Sequence, residues 1–401
     1  MLIDSVSLVK QLVAIPSVSP MASNAPPEIL GESRLTAFLE KTFREIGLTT
    51  WRQPAFPGRE NLVARLDGDV PPEKGGPVLL LDAHQDTVPV AGMTVAPFDP
   101  VERDGRIYGR GSCDTKGGMA AAITAVARLV HEGIHPRPTV LISCTVDEES
   151  GFGGVLQLTK LWDSLPGLPR PSAAIVLEPT GLDVAVAHKG MVRWRMHAIG
   201  RAAHSSRPQA GDNAIYKMAR VVTAIEQYAA QLAAGRLDPR CGLATVSVGT
   251  IHGGVGVNTV PDRCTIEVDL RPLPGDDLLD ARQQLLDATA GLHLSGIQSD
   301  PLFAQGPSLS DQRNGPLSEQ LLALVRETAG PHWRTGLSCG TNAPFFASLG
   351  IPTVVFGPGF LDQAHTADEW LPIEQLHAAE NILYRLCRHF GDQRLSAAGG
   401  I

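Results

Sequence analysis

No dense run of lysine or arginine occurs anywhere in the 401 residues, and 34 basic against 42 acidic side chains leave a formal net charge of −8. That balance argues against nucleic acid or an anionic membrane surface as a partner and favours a small-molecule substrate. No apolar run approaches the roughly 18 residues that a membrane span requires, so no membrane partner is expected. The first residues, MLIDSVSLVKQLVAIPSVSP, lack a basic start and place Asp4 and Lys10 inside the apolar stretch, which reads as an amphipathic helix of the mature chain. The six cysteines, Cys113, Cys144, Cys241, Cys264, Cys339 and Cys387, show no C-x-x-C spacing and read as reduced thiols of a cytoplasmic protein. There is no G-x-S-x-G elbow, and Gly151, Gly153 and Gly154 are not followed by the Lys-Ser/Thr of a phosphate loop. Repeats and long low-complexity tracts are also missing.

What is present is 43% hydrophobic and only 19% charged residues, enough for a large core and too long a chain for one ordinary domain. Helical spacing covers Ser5–Ala14 and Ser33–Ile46, the second capped by Gly47. Short Val- and Leu-rich runs at 61–66, 78–83, 139–146 and 173–177 read as buried strands, and a helix is predicted over 116–129. Strands alternating with helices point to an α/β mixed sheet flanked by helices. From about Gly190 the pattern changes. Val192–Ala198 and Arg263–Arg271 alternate apolar with polar residues, with helical patterns over 213–234 and 276–289. An inserted α+β domain is therefore expected at 190–294, within a discontinuous catalytic domain of 1–189 and 295–401.

The chemistry collects at strand ends. LLLDAHQD (Leu79–Asp86) closes an apolar run with His84 and Asp86 two apart, a spacing that suits a metal-binding imidazole and a carboxylate orienting it. Asp114 lies in a glycine-rich loop, Glu149 and Glu178 follow predicted strands, and His365 lies near the end of the chain. Two histidines and three carboxylates form a ligand set for a pair of divalent ions in which one carboxylate bridges. If Glu149 is a ligand, its neighbour Glu148 faces the other way on extended backbone and is free to carry a proton. HEGIH (His131–His135) matches a helical zinc motif, but Gly133 within it and Pro136 after it predict a helix end instead.

Several segments carry a resemblance: AHQDTVP (83–89), GRGSCDTKGG (109–118), TVDEESG (145–151), LEPT (177–180), GRAAHSSRPQAGDNAI (200–215), VDLRPLPG (268–275), GTNAPFF (340–346), VVFGPG and QAHTADEW. Together the chain resembles the di-zinc metallopeptidase and deacylase family of acetylornithine deacetylase, succinyl-diaminopimelate desuccinylase, aminoacylase and glutamate carboxypeptidase. AHKG (187–190) and QAHTADEW lean toward the acetylornithine deacetylase branch. The resemblance implies two zinc ions per chain, with cobalt able to substitute: His84 and Glu178 on one, Glu149 and His365 on the other, Asp114 bridging. It further implies Asp86 as orienter of His84, Glu148 as general base, and His204 as an oxyanion stabiliser reaching the partner's site in a homodimer. Arg271 would grip the substrate carboxylate, with Asn258, Gly340 and Asn342 as further substrate contacts. Asn342 stands where relatives commonly carry an acidic residue, so a contact to a cationic side chain such as ornithine's is not implied there.

The expected activity is hydrolysis of the amide of N-acyl amino acids, in the manner of acetylornithine deacetylase and arginine biosynthesis. A carboxypeptidase or desuccinylase on the same metal site remains an alternative, as does a catalytically silent metal-binding dimerisation protein.

Overall fold

A computed structural model of the chain describes residues 3–20, 25–161 and 167–391. It divides into two units, one of Met1–Val186, Asp311–Thr335 and Thr341–Ile401, the other of Ala187–Ser310 and Gly336–Gly340. Among the described residues no helix is long and apolar enough to cross a membrane.

The first unit is built on an eight-stranded mixed sheet. Its strands lie in the order Thr49–Phe56, Arg59–Leu66, Thr139–Thr145, Val78–His84, Ala173–Val176, Thr353–Val355, Val184–His188 and Arg334–Leu337. Thr139–Thr145, Val78–His84, Ala173–Val176 and Thr353–Val355 pair in parallel, while Arg59–Leu66 and Thr49–Phe56 run antiparallel at one side. Every residue of Val78–His84 and Thr139–Thr145 is buried, which is why these stretches read as continuous apolar runs rather than alternating ones. The helix Gly117–His131 packs beside the helix Ile373–His389 within the main core. Its small residues, GGMAAAITAVA, are buried all round and let it lie close to its neighbours. That helix ends at His131, with Glu132 as its C-cap and Gly133 at φ 66°, so HEGIH never forms one helical face.

In the second unit, Met191–Ile199, Thr245–Gly253 and Arg263–Arg271 form an antiparallel sheet. The helices Ala214–Ala233 and Leu278–Ala290 cover one face, burying Trp194, Met196, Ile266, Val268, Met218 and Leu285 together. The expected boundary at 294 is too early. Ile297–Ser299 and Ala304–Gly306 both pair with Met191–Ile199, so the chain stays in this unit to Ser310, and 336–340 joins it as well. Strands of three residues carry too little periodicity for sequence to reveal them.

His188, the last residue of the strand Val184–His188, is fully buried, its Nδ1 2.8 Å from the Lys189 carbonyl oxygen. Burial, with the Arg271 charge adding to it, pulls its imidazole down to about 4. Below pH 6.5 the unfolded chain takes up a proton that the folded chain refuses, so stability falls as pH drops from 6.5 toward 4. The loss is about 3 kcal/mol from this group. Urea unfolding of metal-free wild type and His188→Gln at pH 7 and pH 4 should show a loss larger in wild type by about that amount. Equal losses in the two proteins would remove His188 as the cause.

Candidate active site

The parallel strands run the same way, so their C-terminal ends share one edge of the sheet, where open α/β folds place their ligands. His84 is the last residue of its strand, Asp147, Glu148 and Glu149 follow Thr145 closely, and Glu178 follows Val176 by two residues. The edge has room for close backbone approach because position 357 is glycine. A Cβ there would lie 2.6 Å from the Glu178 carbonyl oxygen. Asp147 at φ 68° and His365 at φ 62° occupy the left-handed region that non-glycine residues avoid, a local cost concentrated at this edge. A buried network supports the acidic turn: Arg59 pairs with Glu32 at 2.6 Å and with Asp147 at 3.0 Å.

Donor atoms of His84, Asp114 and Glu149 all lie within 4.8 Å of one another, and Glu178 and His365 adjoin them. Asp114 divides its two oxygens. Its Oδ1 is 3.0 Å from His84 Nε2, and its Oδ2 is 3.2 Å from His365 Nε2. His84 Nε2 is also 3.7 Å from Glu178, and His365 Nε2 is 3.2 Å from Glu149. His84 and Glu178 thus stand on one side of Asp114, Glu149 and His365 on the other.

The electrostatics of the cluster call for positive charge. The Asp114 and Glu149 hydrogen bonds hold the His365 imidazole up at about 11. Burial pulls His84 down, but its bond to Asp114 and the charges of Glu178 and Glu148 outweigh that and keep it well above the usual range. Burial also pushes Glu178 and Glu148 well above the ordinary carboxylate range, and neighbouring carboxylates add to the effect. Imidazole nitrogens and carboxylate oxygens crowded at these distances are the donor set and the charge that divalent cations take.

Asp86 is placed differently from the sequence expectation. His84 Nδ1 lies 2.8 Å from the backbone carbonyl oxygen of Asp86 and 3.6 Å from its carboxylate. The carboxylate instead accepts from the backbone N–H groups of Glu148 at 3.0 Å and Glu149 at 3.1 Å. Residue 86 therefore orients His84 through its main chain, while its side chain fixes the two glutamates.

Asn342 is also corrected. It is 1% exposed, and its Nδ2 donates to Asp82 at 2.9 Å and to Thr145 Oγ1 at 2.8 Å, beneath the sheet edge. Its NH2 group is engaged in the interior and its Oδ1 is buried with it, which leaves the side chain without the substrate-facing position expected of it. His204, Asn258, Arg271 and Gly340 all belong to the second unit. There His204 is exposed, with Nδ1 2.7 Å from Ser206 Oγ, and the Asn258 carbonyl accepts from Ser205 N at 3.0 Å. Arg271 Nε is 2.9 Å from Asp269, which also takes Arg193 at 3.2 Å. Sequence reasoning passed over one residue of the first unit, Glu369, although it lies in the quoted QAHTADEW segment.

The model of peptidase family M20/M25/M40 matches residues 80–389. The chain is 33% identical over 335 residues to an acetylornithine deacetylase of Myxococcus xanthus, covering 82% of this chain and 84% of that one. It is 32% identical over 394 residues to an acetylornithine deacetylase of Photorhabdus laumondii, covering 96% and 97%. Among solved structures, a metallo-carboxypeptidase of Sulfolobus solfataricus superposes with a TM-score of 0.77 at 16% identity, covering 96% of this chain and 99% of that one. A dinuclear metal-binding peptidase from Bacillus subtilis gives 0.64 at 17% identity, covering 96% of each. An α/β sheet carrying this cluster at its edge, with these relatives, defines a metal-dependent amidohydrolase. With the family model matching across most of its length, the chain belongs to peptidase family M20/M25/M40.

Proposed function

We propose that the protein hydrolyses the amide of N-acyl amino acids, as an acetylornithine deacetylase does, using two zinc ions held by His84, Asp114, Glu149, Glu178 and His365. The observation that carries this reading is Asp114 standing between two imidazole–carboxylate pairs, one oxygen toward each. Divalent ions in that cradle supply charge to polarise the amide carbonyl and to acidify a water molecule. Glu148 takes the proton of the attacking water and returns it to the leaving nitrogen. Asp86 holds Glu148 in place through the N–H of its backbone. From the second unit, His204 donates to the developing oxyanion in the site of the dimer partner, and Arg271, braced by Asp269, takes the substrate carboxylate. Asn258 and Gly340 complete the substrate contacts.

The active species in this reading is a cytoplasmic homodimer formed through the second unit. The exposed strand Thr245–Gly253 lies at the edge of its sheet, and Ile251, Val255 and Val257 nearby are 53%, 94% and 102% exposed. An uncovered edge with apolar neighbours favours pairing with another copy.

The test is a panel of N-acetyl, N-succinyl and dipeptide substrates, with free amine measured as it is released. Activity on N-acetyl amino acids should vanish on chelation and return with zinc. Hydrolysis of none of these amides by the zinc-loaded protein, or activity indifferent to chelator, would sink the reading.

A further inference from the structure

Glu369 is fully buried four residues after His365, and its carboxylate is saturated with donors. Oε1 accepts from the backbone N–H groups of Cys113 and Asp114, each at 3.0 Å. Oε2 accepts from Gly111 N at 3.0 Å and from Arg110 Nη1 at 2.6 Å. Three turn amides converging on one carboxylate form a concavity suited to an anion, here filled by a side chain of the protein itself. Arg110, 3% exposed, spends its other terminal nitrogen on the carbonyls of Pro89 at 3.1 Å and Thr366 at 3.2 Å. One buried ion pair therefore grips three segments: the turn of Asp114, the loop after His84 and Asp86, and the loop of His365.

The main chain adds to the grip. Trp370 pairs with Tyr108, and Gly109 N donates to the Glu369 carbonyl at 3.0 Å. These bonds set the register of two segments about 260 residues apart in the chain. Asp114 N is itself one of the donors, so the carboxylate acts on the backbone of the residue that offers one oxygen to each imidazole.

We infer that Glu369, with Arg110, is a positioning residue for the cation site, fixing Asp114 relative to His365 so that both halves of the ligand set are pre-arranged. The inference rests on the two-ion reading above. A neutral amide does not replace the carboxylate, because its single oxygen cannot serve both sets of donors and its NH2 would face N–H groups. Partners of this kind, standing behind the ligands, are worth 10–100-fold in metal affinity or activity.

The test is titration of metal-free wild type, Glu369→Gln and Arg110→Lys with Co2+, monitored by calorimetry and by visible absorption, with circular dichroism to confirm folding. Wild type should take two equivalents. Glu369→Gln should bind at least one of them about 10-fold or more weakly, with an altered cobalt spectrum, and should lose kcat about 10-fold or more while KM stays within about twofold. Arg110→Lys, which keeps the charge but loses the two carbonyl contacts, should move the same way by less, and it decides the matter alone if Glu369→Gln does not fold. Wild-type cobalt affinity and spectrum in the folded variants, even with reduced thermal stability, would overturn the inference. Fewer than two equivalents in wild type would overturn the two-ion reading and this inference with it.

Discussion

Glu148→Gln should retain the metal content of wild type while its kcat falls by about 10²–10⁴-fold, the range for loss of a positioned proton carrier. The substitution preserves size and shape, and the backbone N–H of residue 148 keeps its 3.0 Å bond to Asp86, so the acidic turn stays in place. What disappears is the ability to accept a proton and hand it on. Burial, together with Glu178, Glu149 and Asp114, lifts this carboxyl well above its ordinary range while His84 pulls the other way, an environment that makes its protonated form accessible. Metal content by atomic emission, measured beside initial rates, separates the two possible losses. Metal retained with turnover lost assigns proton transfer to Glu148. Turnover above about a tenth of wild type removes it from that role, and loss of metal makes it a ligand instead.

Asn342→Asp should destabilise the protein by about 3–5 kcal/mol at pH 8, the cost of breaking a buried polar pair and leaving a charge uncompensated. Asp82 is fully buried, and burial raises it to about 6 even with Ser143 and Asn342 donating to it. The new carboxylate would withdraw one of those donors and set a like charge about a hydrogen-bond length away. Its folded-state value would be raised, so the penalty is absent below the unfolded value near 4 and grows as pH rises above it. Urea unfolding should therefore show a wider gap between wild type and variant at pH 8 than at pH 5. Adding Asp82→Asn, which restores one donor opposite one carboxylate, should recover most of the loss. Equal stability of Asn342→Asp and wild type at both pH values would contradict the buried pairing.

The parts that were legible in sequence share a physical reason. Val78–His84, Thr139–Thr145 and Ala173–Val176 are buried on both faces, so each reads as an apolar run, and the polar residue at which the run stops marks the end of a parallel strand. That single rule locates His84, Glu149 and Glu178. In the second unit, Cys264, Ile266, Val268 and Leu270 are buried in alternation along Arg263–Arg271, and the period-two pattern shows it. Thr49–Phe56 escaped notice because it pairs at the sheet's edge, carries Pro54 and buries only one residue fully. Asp86 is read from its two-residue strand spacing to His84 and Asn342 from its place in a motif, and neither says which way a side chain turns. Glu369 had no pattern to reveal it: besides Arg110, 259 positions away, its partners are backbone amides of the 111–114 turn, and backbone donors leave no mark in sequence.

The strand Thr353–Val355 sits in the interior of the first unit's sheet, between Ala173–Val176 and Val184–His188, yet it is made after almost everything around it. Until the ribosome has passed it, Ala173–Val176 presents an open hydrogen-bonding flank in the middle of an apolar layer. The second unit, a contiguous stretch apart from 336–340, is largely synthesised before that gap is filled. A chain stopped before Thr353 would leave that flank open, a template for pairing with the edge of another chain.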